Sequence, residues 1–146
     1  MHWRVFAIGK PKLAYAKSGV EEYAARLRPV VSLEIEWLKN STRESESAAL
    51  LERSAGYFRI AMDERGEHLA SRAFAGRLAQ WEQSRTKGIA LLIGGADGHT
   101  EELRKQSDWL WSLSKLTLQH ELALVVVLEQ IYRAYAIKAN LPYHRD

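Results

Sequence analysis

The chain contains no cysteine among its 146 residues. Disulfide bonds, thiolate metal sites and cysteine nucleophiles are therefore excluded, and secreted domains that depend on disulfides are disfavoured. Long hydrophobic runs are also missing, because the longest apolar stretch, residues 122–128, is far shorter than the roughly 18 residues of a membrane span. The amino-terminal apolar stretch contains a charge, Arg4, and no small-residue cleavage pattern, so we expect no signal peptide. These absences predict a cytoplasmic protein with no membrane segment.

The histidines show no metal-ligand pattern. His2, His68 and His99 have no ligand-like spacing, and we interpret them as surface or turn residues. We therefore predict no metal site.

The remaining composition is that of a globular protein. Hydrophobic residues make up 47% of the chain, enough for one sizeable core, and we expect a single domain over residues 1–146. The formal net charge of +3 permits an acidic partner such as RNA but does not require one. Lys10, Lys12 and Lys17 are a candidate phosphate-contacting cluster, although a solvated basic face explains them equally well.

Strand-type and helix-type patterns alternate along most of the chain. We predict strands at residues 3–9, 30–38, 57–62 and 88–93, and helices at about residues 13–28, 42–55, 69–84 and 119–140. We expect the charged residues 63–66 to form a turn. The alternation predicts an α/β sandwich with a largely parallel sheet.

A glycine-rich segment, residues 94–98, follows the fourth strand directly. It lacks the Lys-Ser/Thr pair of a phosphate loop and the GxGxxG spacing of dinucleotide-binding folds. A tight turn between strand and helix would explain it without any ligand. Because ligands of parallel sheets bind beyond the carboxyl ends of the strands, the loops after Met62 and Ile93 are the places where we expect a site.

Two later segments remain open to more than one interpretation. Residues 109–118 begin with strand-like alternation and continue with small hydroxyl residues between leucines, which suits either a plain loop or a wall around an apolar ring. The helix that follows is apolar on nearly every face, which predicts burial against the domain and against a second copy of the chain. Glu129 and Arg133 are spaced to form an ion pair on this helix.

Four motifs occur in fixed order in the carboxyl-terminal half of the chain. They are Leu-Leu-Ile-Gly-Gly-x-x-Gly at 91–98, Ser-Leu-Ser-x-Leu-Thr-Leu-x-His at 112–120, Glu-Gln-Ile-Tyr-Arg-Ala at 129–134 and Pro-Tyr-His-Arg at 142–145. Together they resemble the SPOUT-class methyltransferases that modify N3 of a pseudouridine in large-subunit ribosomal RNA. The length of the chain fits this family from end to end.

The resemblance implies a SPOUT-type fold with a carboxyl-terminal trefoil knot, S-adenosylmethionine as cofactor, ribosomal RNA as substrate and a working homodimer. By the resemblance, the cofactor-binding residues are Met62, Gly94, Gly95, Leu113, Ser114, Lys115, Leu116, Thr117 and Leu118. The implied catalytic residues are Tyr143, His144 and Arg145. His144 would serve as a general base, Tyr143 would stack on or hydrogen-bond the base, and Arg145 would hold a phosphate or a developing charge.

The same residues also have simpler explanations. Without the resemblance, the last residues would be interpreted as a loose terminus, and His120 either caps the last helix or lines the cofactor site. The chain also departs from the family, with Gln119 in place of proline and Leu124 in place of arginine. We expect the first change to loosen the cofactor loop and the second to remove a cation. These departures leave two alternatives, a non-enzymatic RNA-binding or ribosome-assembly protein and a methyltransferase for another RNA.

Overall fold

A five-stranded parallel sheet forms the centre of the molecule in a computed structural model that describes residues 1–84 and 88–145. The elements, in chain order, are β1 (His2–Ile8), α1 (Ala14–Leu27), β2 (Ser32–Leu38), α2 (Arg43–Arg53), β3 (Phe58–Glu67), α3 (Ser71–Gln83), β4 (Ile89–Ile93), α4 (Glu101–Gln106), β5 (Trp109–Trp111) and α5 (His120–Lys138). The strand order is β2-β1-β4-β3-β5, and every neighbouring pair is parallel. The predicted α/β architecture with a parallel sheet is confirmed. The trefoil knot stays a prediction.

The sheet is covered on both faces, which explains why its central strand is apolar throughout. All five residues of β4 are buried. Side chains of a strand alternate between its two faces, so Val5 of β1 packs into one core with α1, α3 and α5, whereas its neighbour Phe6 packs into a second core with α2 and α4. A parallel sheet between helical layers needs this continuous run of apolar residues.

Helix α5 supplies much of the larger core. Val127, Leu128 and Ile131 are buried, and the helix packs against α1 and α3. Val125 and Val126 are only partly buried. One side of the helix is therefore covered within the chain, as predicted, and contact of the remaining apolar surface with a second copy stays a prediction. The helix ends as expected, because Asn140 adopts φ 55° immediately after the last turn.

The turn predicted at residues 63–66 is wrong. Strand β3 continues to Glu67, and Met62 and Glu67 both pair with Trp111 of β5, so the residues between them form a bulge. Within the bulge the Arg65 N–H donates to the Asp63 carboxylate at 2.9 Å, a local turn inside the strand. The composition of residues 63–66 therefore indicates the local turn within the bulge. It does not indicate that β3 continues to Glu67.

Helix α4 is a further difference, because its position was not predicted, although a turn into a helix was one explanation of the glycine-rich segment. The helix has only six residues, too few for an apolar period to show in the sequence. Among residues 1–84 and 88–145, no helix is both long and apolar enough to cross a membrane.

Candidate functional site

A cavity of about 520 Å³ opens at the carboxyl ends of β3, β4 and β5. Strands β3 and β4 are parallel neighbours, so the bulge after Met62 and the glycine-rich loop after Ile93 meet at one edge of the sheet. The loop after β5 and the first turn of α5 complete the wall. This is the edge at which parallel sheets bind ligands.

Most of the predicted cofactor residues meet in this cavity. The lining includes Met62, Gly94, Gly95, Leu113, Ser114, Leu116, Thr117 and Leu118. Lys115 does not line it, and its side chain is exposed. The loop after β5 is shaped by its own hydroxyls, because Ser112 Oγ donates to the Ser114 carbonyl at 3.0 Å and the Leu116 N–H donates to Ser114 Oγ at 2.9 Å. The role of these residues as cofactor ligands stays a prediction.

The two glycines after β4 lie where a side chain would collide with neighbours. A Cβ on Gly94 would lie 3.1 Å from Cε1 of His99, and a Cβ on Gly95 would lie 3.2 Å from Oε1 of the buried Glu46. The main chain of this loop therefore packs directly on the side chains behind it. Glycine allows that approach because it has no Cβ.

His99 lies behind the glycine-rich loop and also lines the cavity. Its interpretation as a surface or turn residue is wrong, because only 4% of it is exposed. Within the part of the chain that the structure describes, neither ring nitrogen makes a hydrogen bond of acceptable geometry. Burial lowers the pKa of His99, and the nearby charge of Asp63 opposes that effect. This burial could not be predicted from the sequence, since the neighbours of His99 in the chain are mostly polar.

The cavity also contains charges that the sequence interpretation missed. The Asp63 side chain is only 5% exposed and lies 3.4 Å from Nη1 of Arg65 and 3.7 Å from Nη1 of Arg104. Arg104 also donates to the His99 carbonyl at 2.8 Å. Together with Trp111 of β5, these residues give the cavity both apolar and charged surface. Such a cavity suits a ligand that combines an apolar ring with charged groups.

The first departure from the family has a clear structural role. Gln119 is the N-cap of α5, and its Oε1 accepts hydrogen bonds from the N–H groups of Glu121 and Leu122 at 2.9 and 3.0 Å. The expected loosening of the loop is therefore opposed by a helix cap. His120 is the first residue of α5 and lines the cavity, so it does not cap the helix.

The second departure, Leu124, is 3% exposed and belongs to the larger core. An apolar side chain suits that position. Neither departure therefore disrupts the architecture around the cavity.

Glu121 ties the start of α5 to the start of α1. Its Oε1 accepts from the N–H groups of Lys12 and Leu13, at 2.8 and 2.9 Å, where α1 has no side-chain cap of its own. Both hydrogen bonds lower the pKa of Glu121, and the bond from Leu13 has the larger effect. The side chains of the predicted basic cluster, Lys10, Lys12 and Lys17, are all exposed.

The carboxyl-terminal tail lies away from the cavity of its own chain. Tyr143, His144 and Arg145 are not among the lining residues. Instead, Tyr143 Oη lies 3.1 Å from Tyr23 Oη of α1 and donates to Glu129 at 3.3 Å. Arg145 is exposed, and Asp146 lies outside the described residues. The tail is thus held against α1 and α5, unlike the loose terminus of the simpler explanation.

Arg133 of α5 organises this tail. It pairs with Glu129 at 2.8 Å, as the spacing predicted, and its guanidinium lies 4.8 Å from the centre of the Tyr143 ring. Its Nη1 is 3.0 Å from Nδ1 of His144. Burial raises the pKa of Tyr143, and its hydrogen bond with Tyr23 adds to this effect, so the phenol stays protonated at neutral pH. We refer to Tyr23, Glu129, Arg133, Tyr143 and His144 as the tail cluster.

Among residues 1–84 and 88–145, no group of three or more His, Asp or Glu side chains is placed to hold a metal ion.

Comparison with known proteins links the whole chain to one family. A family model described as "Predicted SPOUT methyltransferase" matches residues 1–144. Ribosomal RNA large subunit methyltransferase H of Thermus thermophilus is 45% identical over 145 residues, covering 99% of each chain. The protein of the same name from Deinococcus radiodurans is 40% identical over 149 residues, again covering 99% of each. Among solved structures, a probable methylase family protein from Haemophilus influenzae shares the fold, with a TM-score of 0.60 at 12% identity over 99% of this chain and 70% of that one.

Proposed function

The chain belongs to the family of predicted SPOUT methyltransferases, and on that basis we propose that it uses S-adenosylmethionine to methylate N3 of a pseudouridine in large-subunit ribosomal RNA. The names of the Thermus and Deinococcus relatives support ribosomal RNA as the substrate. The observation that carries the proposal is the cavity, because eight of the nine residues that the resemblance assigns to the cofactor surround one space at the carboxyl ends of the strands. A ribosomal substrate would also support the cytoplasmic location that we propose.

The cavity suits S-adenosylmethionine in size and chemistry. Its volume of about 520 Å³ falls in the range of roughly 300–1,000 Å³ that small-molecule sites occupy. Met62, Leu116 and Leu118 offer apolar surface to an adenine ring, and the carboxylate of Glu64 complements the cofactor's positive charges. When bound, the cofactor supplies an activated methyl group. The protein's contribution is chiefly to hold this group and the base in line.

The working form that we propose is a homodimer. Tail residues contact α5 at Glu129 and Arg133, whereas the cavity contacts α5 only as far as Ala123. At 1.5 Å of rise per residue, Ala123 and Glu129 are about 9 Å apart along the helix axis. A tail held there does not line its own cavity, but a second copy packed on α5 would bring one tail to the other cavity. The partly buried Val126 supplies apolar surface for that contact.

Titration calorimetry with S-adenosylmethionine tests the cofactor site. We expect binding by the unaltered protein and weaker binding by Gly95→Ala, whose new methyl group would press on Glu46. Gly76→Ala is the matched control, because nothing lies within 4 Å of its added Cβ. Absence of binding by the folded, unaltered protein would overturn the proposed function.

Mass spectrometry of ribosomal RNA then tests the substrate. Ribosomes from cells that lack the gene are incubated with the protein and labelled S-adenosylmethionine. We expect one labelled pseudouridine in the large subunit. Label in another RNA would replace the substrate assignment while keeping the enzyme class, and binding of ribosomes without methyl transfer would favour the non-enzymatic alternative.

A further inference from the structure

We propose that His144 acts on the substrate as a hydrogen-bond donor through Nε2, and that Arg133 is the positioning residue that selects this form of the ring. The inference rests on the proposed function, in which the tail reaches the pseudouridine. It differs from the general-base role that the family resemblance suggested for His144.

The contact between the two side chains determines where the imidazole proton lies. Nη1 of Arg133 is 3.0 Å from Nδ1 of His144. A guanidinium has donors and no acceptor, so Nδ1 must accept this hydrogen bond with its lone pair. The neutral ring then carries its proton on Nε2.

Arg133 is itself firmly held, which makes the selection dependable. Its ion pair with Glu129 is 2.8 Å long, and 23% of its side chain is exposed against 17% for that of Glu129. The guanidinium also lies over the Tyr143 ring, and the Tyr143 hydroxyl donates to the same Glu129 carboxylate. Two members of the tail cluster, Glu129 and Tyr143, thus hold the donor that faces Nδ1.

This form of the ring is poorly suited to remove a proton. The lone pair of Nδ1 is engaged by Arg133, and Nε2 in this tautomer has no lone pair in the ring plane. A donor, however, has a function at N3 of pseudouridine, because this nitrogen lies between two carbonyl groups. When N3 loses its proton, negative charge spreads to both carbonyl oxygens, and an N–H directed at one of them stabilises that charge.

The reaction balances without a protein base. The N3–H proton passes to solvent water or hydroxide, N3 forms a bond to the methyl carbon, and the bond from that carbon to the sulfonium breaks to leave a neutral thioether. Nε2–H of His144 is retained throughout.

Nitrogen-15 NMR of the histidine-labelled protein tests the tautomer without RNA or cofactor. His144→Gln identifies the signals of His144 by their disappearance. In the neutral ring we expect a protonated Nε2 and an unprotonated Nδ1. Arg133→Met should increase the share of the form protonated on Nδ1, and Arg133→Lys, which keeps a donor, should keep the original pattern. A proton on Nδ1, or unchanged signals in Arg133→Met, would overturn the role of Arg133.

Kinetics with RNA test the donor role. His144→Gln keeps a side-chain N–H, whereas His144→Phe keeps a ring without one. We expect kcat to fall by about 100-fold in the Phe variant and by less than about tenfold in the Gln variant. The KM for S-adenosylmethionine and the shape of the pH profile should be unchanged in both.

Equal losses of kcat in the two variants, or loss of a pH-profile limb in both of them, would contradict the donor role and restore the general base. If the unaltered protein transfers no methyl group, the proposed function fails together with the donor role, and the tautomer is still decided by NMR.

Discussion

The buried ring of His99 makes the stability of the protein depend on pH. Burial lowers its pKa below the ordinary value of 6.5, so between that value and the lower pKa of the folded state the unfolded chain binds a proton that the folded chain does not. The contribution of the neutral ring to stability is therefore complete above pH 6.5 and is lost as the pH falls towards the folded-state pKa. We expect His99→Leu to flatten the fall in stability below pH 6.5, measured by urea unfolding between pH 7.5 and 5.

At pH 7.5, His99→Leu should also raise the free energy of unfolding by about 1–3 kcal/mol, because it removes buried nitrogens that lack hydrogen bonds. His68→Leu is the control, since His68 is exposed, and it should leave the pH dependence unaltered. If the free energy of unfolding depends on pH in the same way for the unaltered protein and His99→Leu, interactions of the ring in the folded protein must offset the effect of its burial.

Gln119 illustrates how one side chain can compensate for a missing family residue. Its φ of −59° is close to the angle that proline enforces, and its side chain adds two hydrogen bonds that proline cannot make. We expect Gln119→Ala to lower the free energy of unfolding by about 1 kcal/mol through loss of the cap. Gln119→Pro should cost less, because its fixed φ offsets part of that loss.

Thermal unfolding of the two Gln119 variants measures this difference, with S-adenosylmethionine affinity as the second measurement. Weaker cofactor binding is expected for Gln119→Ala, because the capped turn forms part of the cavity wall. A Pro variant less stable than the Ala variant would show that the backbone at this position cannot accept proline.

At the scale of elements, the close approach of β3 and β5 depends on Gly66. A Cβ there would lie 2.5 Å from the main-chain carbonyl of Leu110, a distance at which backbone must move. We expect Gly66→Ala to destabilise the protein by about 2–4 kcal/mol, since main-chain atoms cannot yield as a flexible side chain can. Gly76→Ala in α3, with open space around the added methyl group, should instead stabilise it by about 0.5–1 kcal/mol.

Chemical denaturation of both glycine variants tests this contrast. The Gly66 variant should also bind S-adenosylmethionine more weakly, because Trp111 and the loop after it form part of the cavity wall. Equal stability of the two variants would mean that β3 and β5 separate easily.

The elements that could be predicted from the sequence are those long enough for their apolar pattern to repeat several times. Helix α1 and the buried strand β4 begin and end within a residue or two of the prediction, because many apolar contacts must agree for each. Helix α4 was missed because six residues are too few for a period, and the end of β3 because its bulge has the composition of a turn. Most residues of the cavity wall could be predicted from the four motifs that carry the family resemblance. The burial of His99 could not, because it depends on contacts between strand ends that are distant in the sequence.

At the scale of the whole molecule, the tail and the cavity lie apart in one chain, although the proposed function requires them to act on the same substrate. The tail cluster is held between α1 and α5, and the cavity lies at the edge of the sheet. The apolar pattern of α5 predicts contact with a second copy of the chain but does not indicate where the tail lies relative to the cavity. The separation of tail and cavity therefore became visible only in the assembled fold.

Subunit mixing tests whether two copies complete each other's site. Gly95→Leu, which damages the cavity, and His144→Phe, which damages the tail, should each lose most activity. If the tail of one protomer serves its partner's cavity, each mixed dimer regains one intact site, and an equal mixture after subunit exchange should reach about a quarter of the unaltered activity. A mixture of Gly95→Leu with the double variant Gly95→Leu/His144→Phe is the control and should stay inactive. Sedimentation at several concentrations establishes that dimers are present. If they are present and the mixture of Gly95→Leu with His144→Phe is still inactive, each tail serves the cavity of its own chain after a rearrangement.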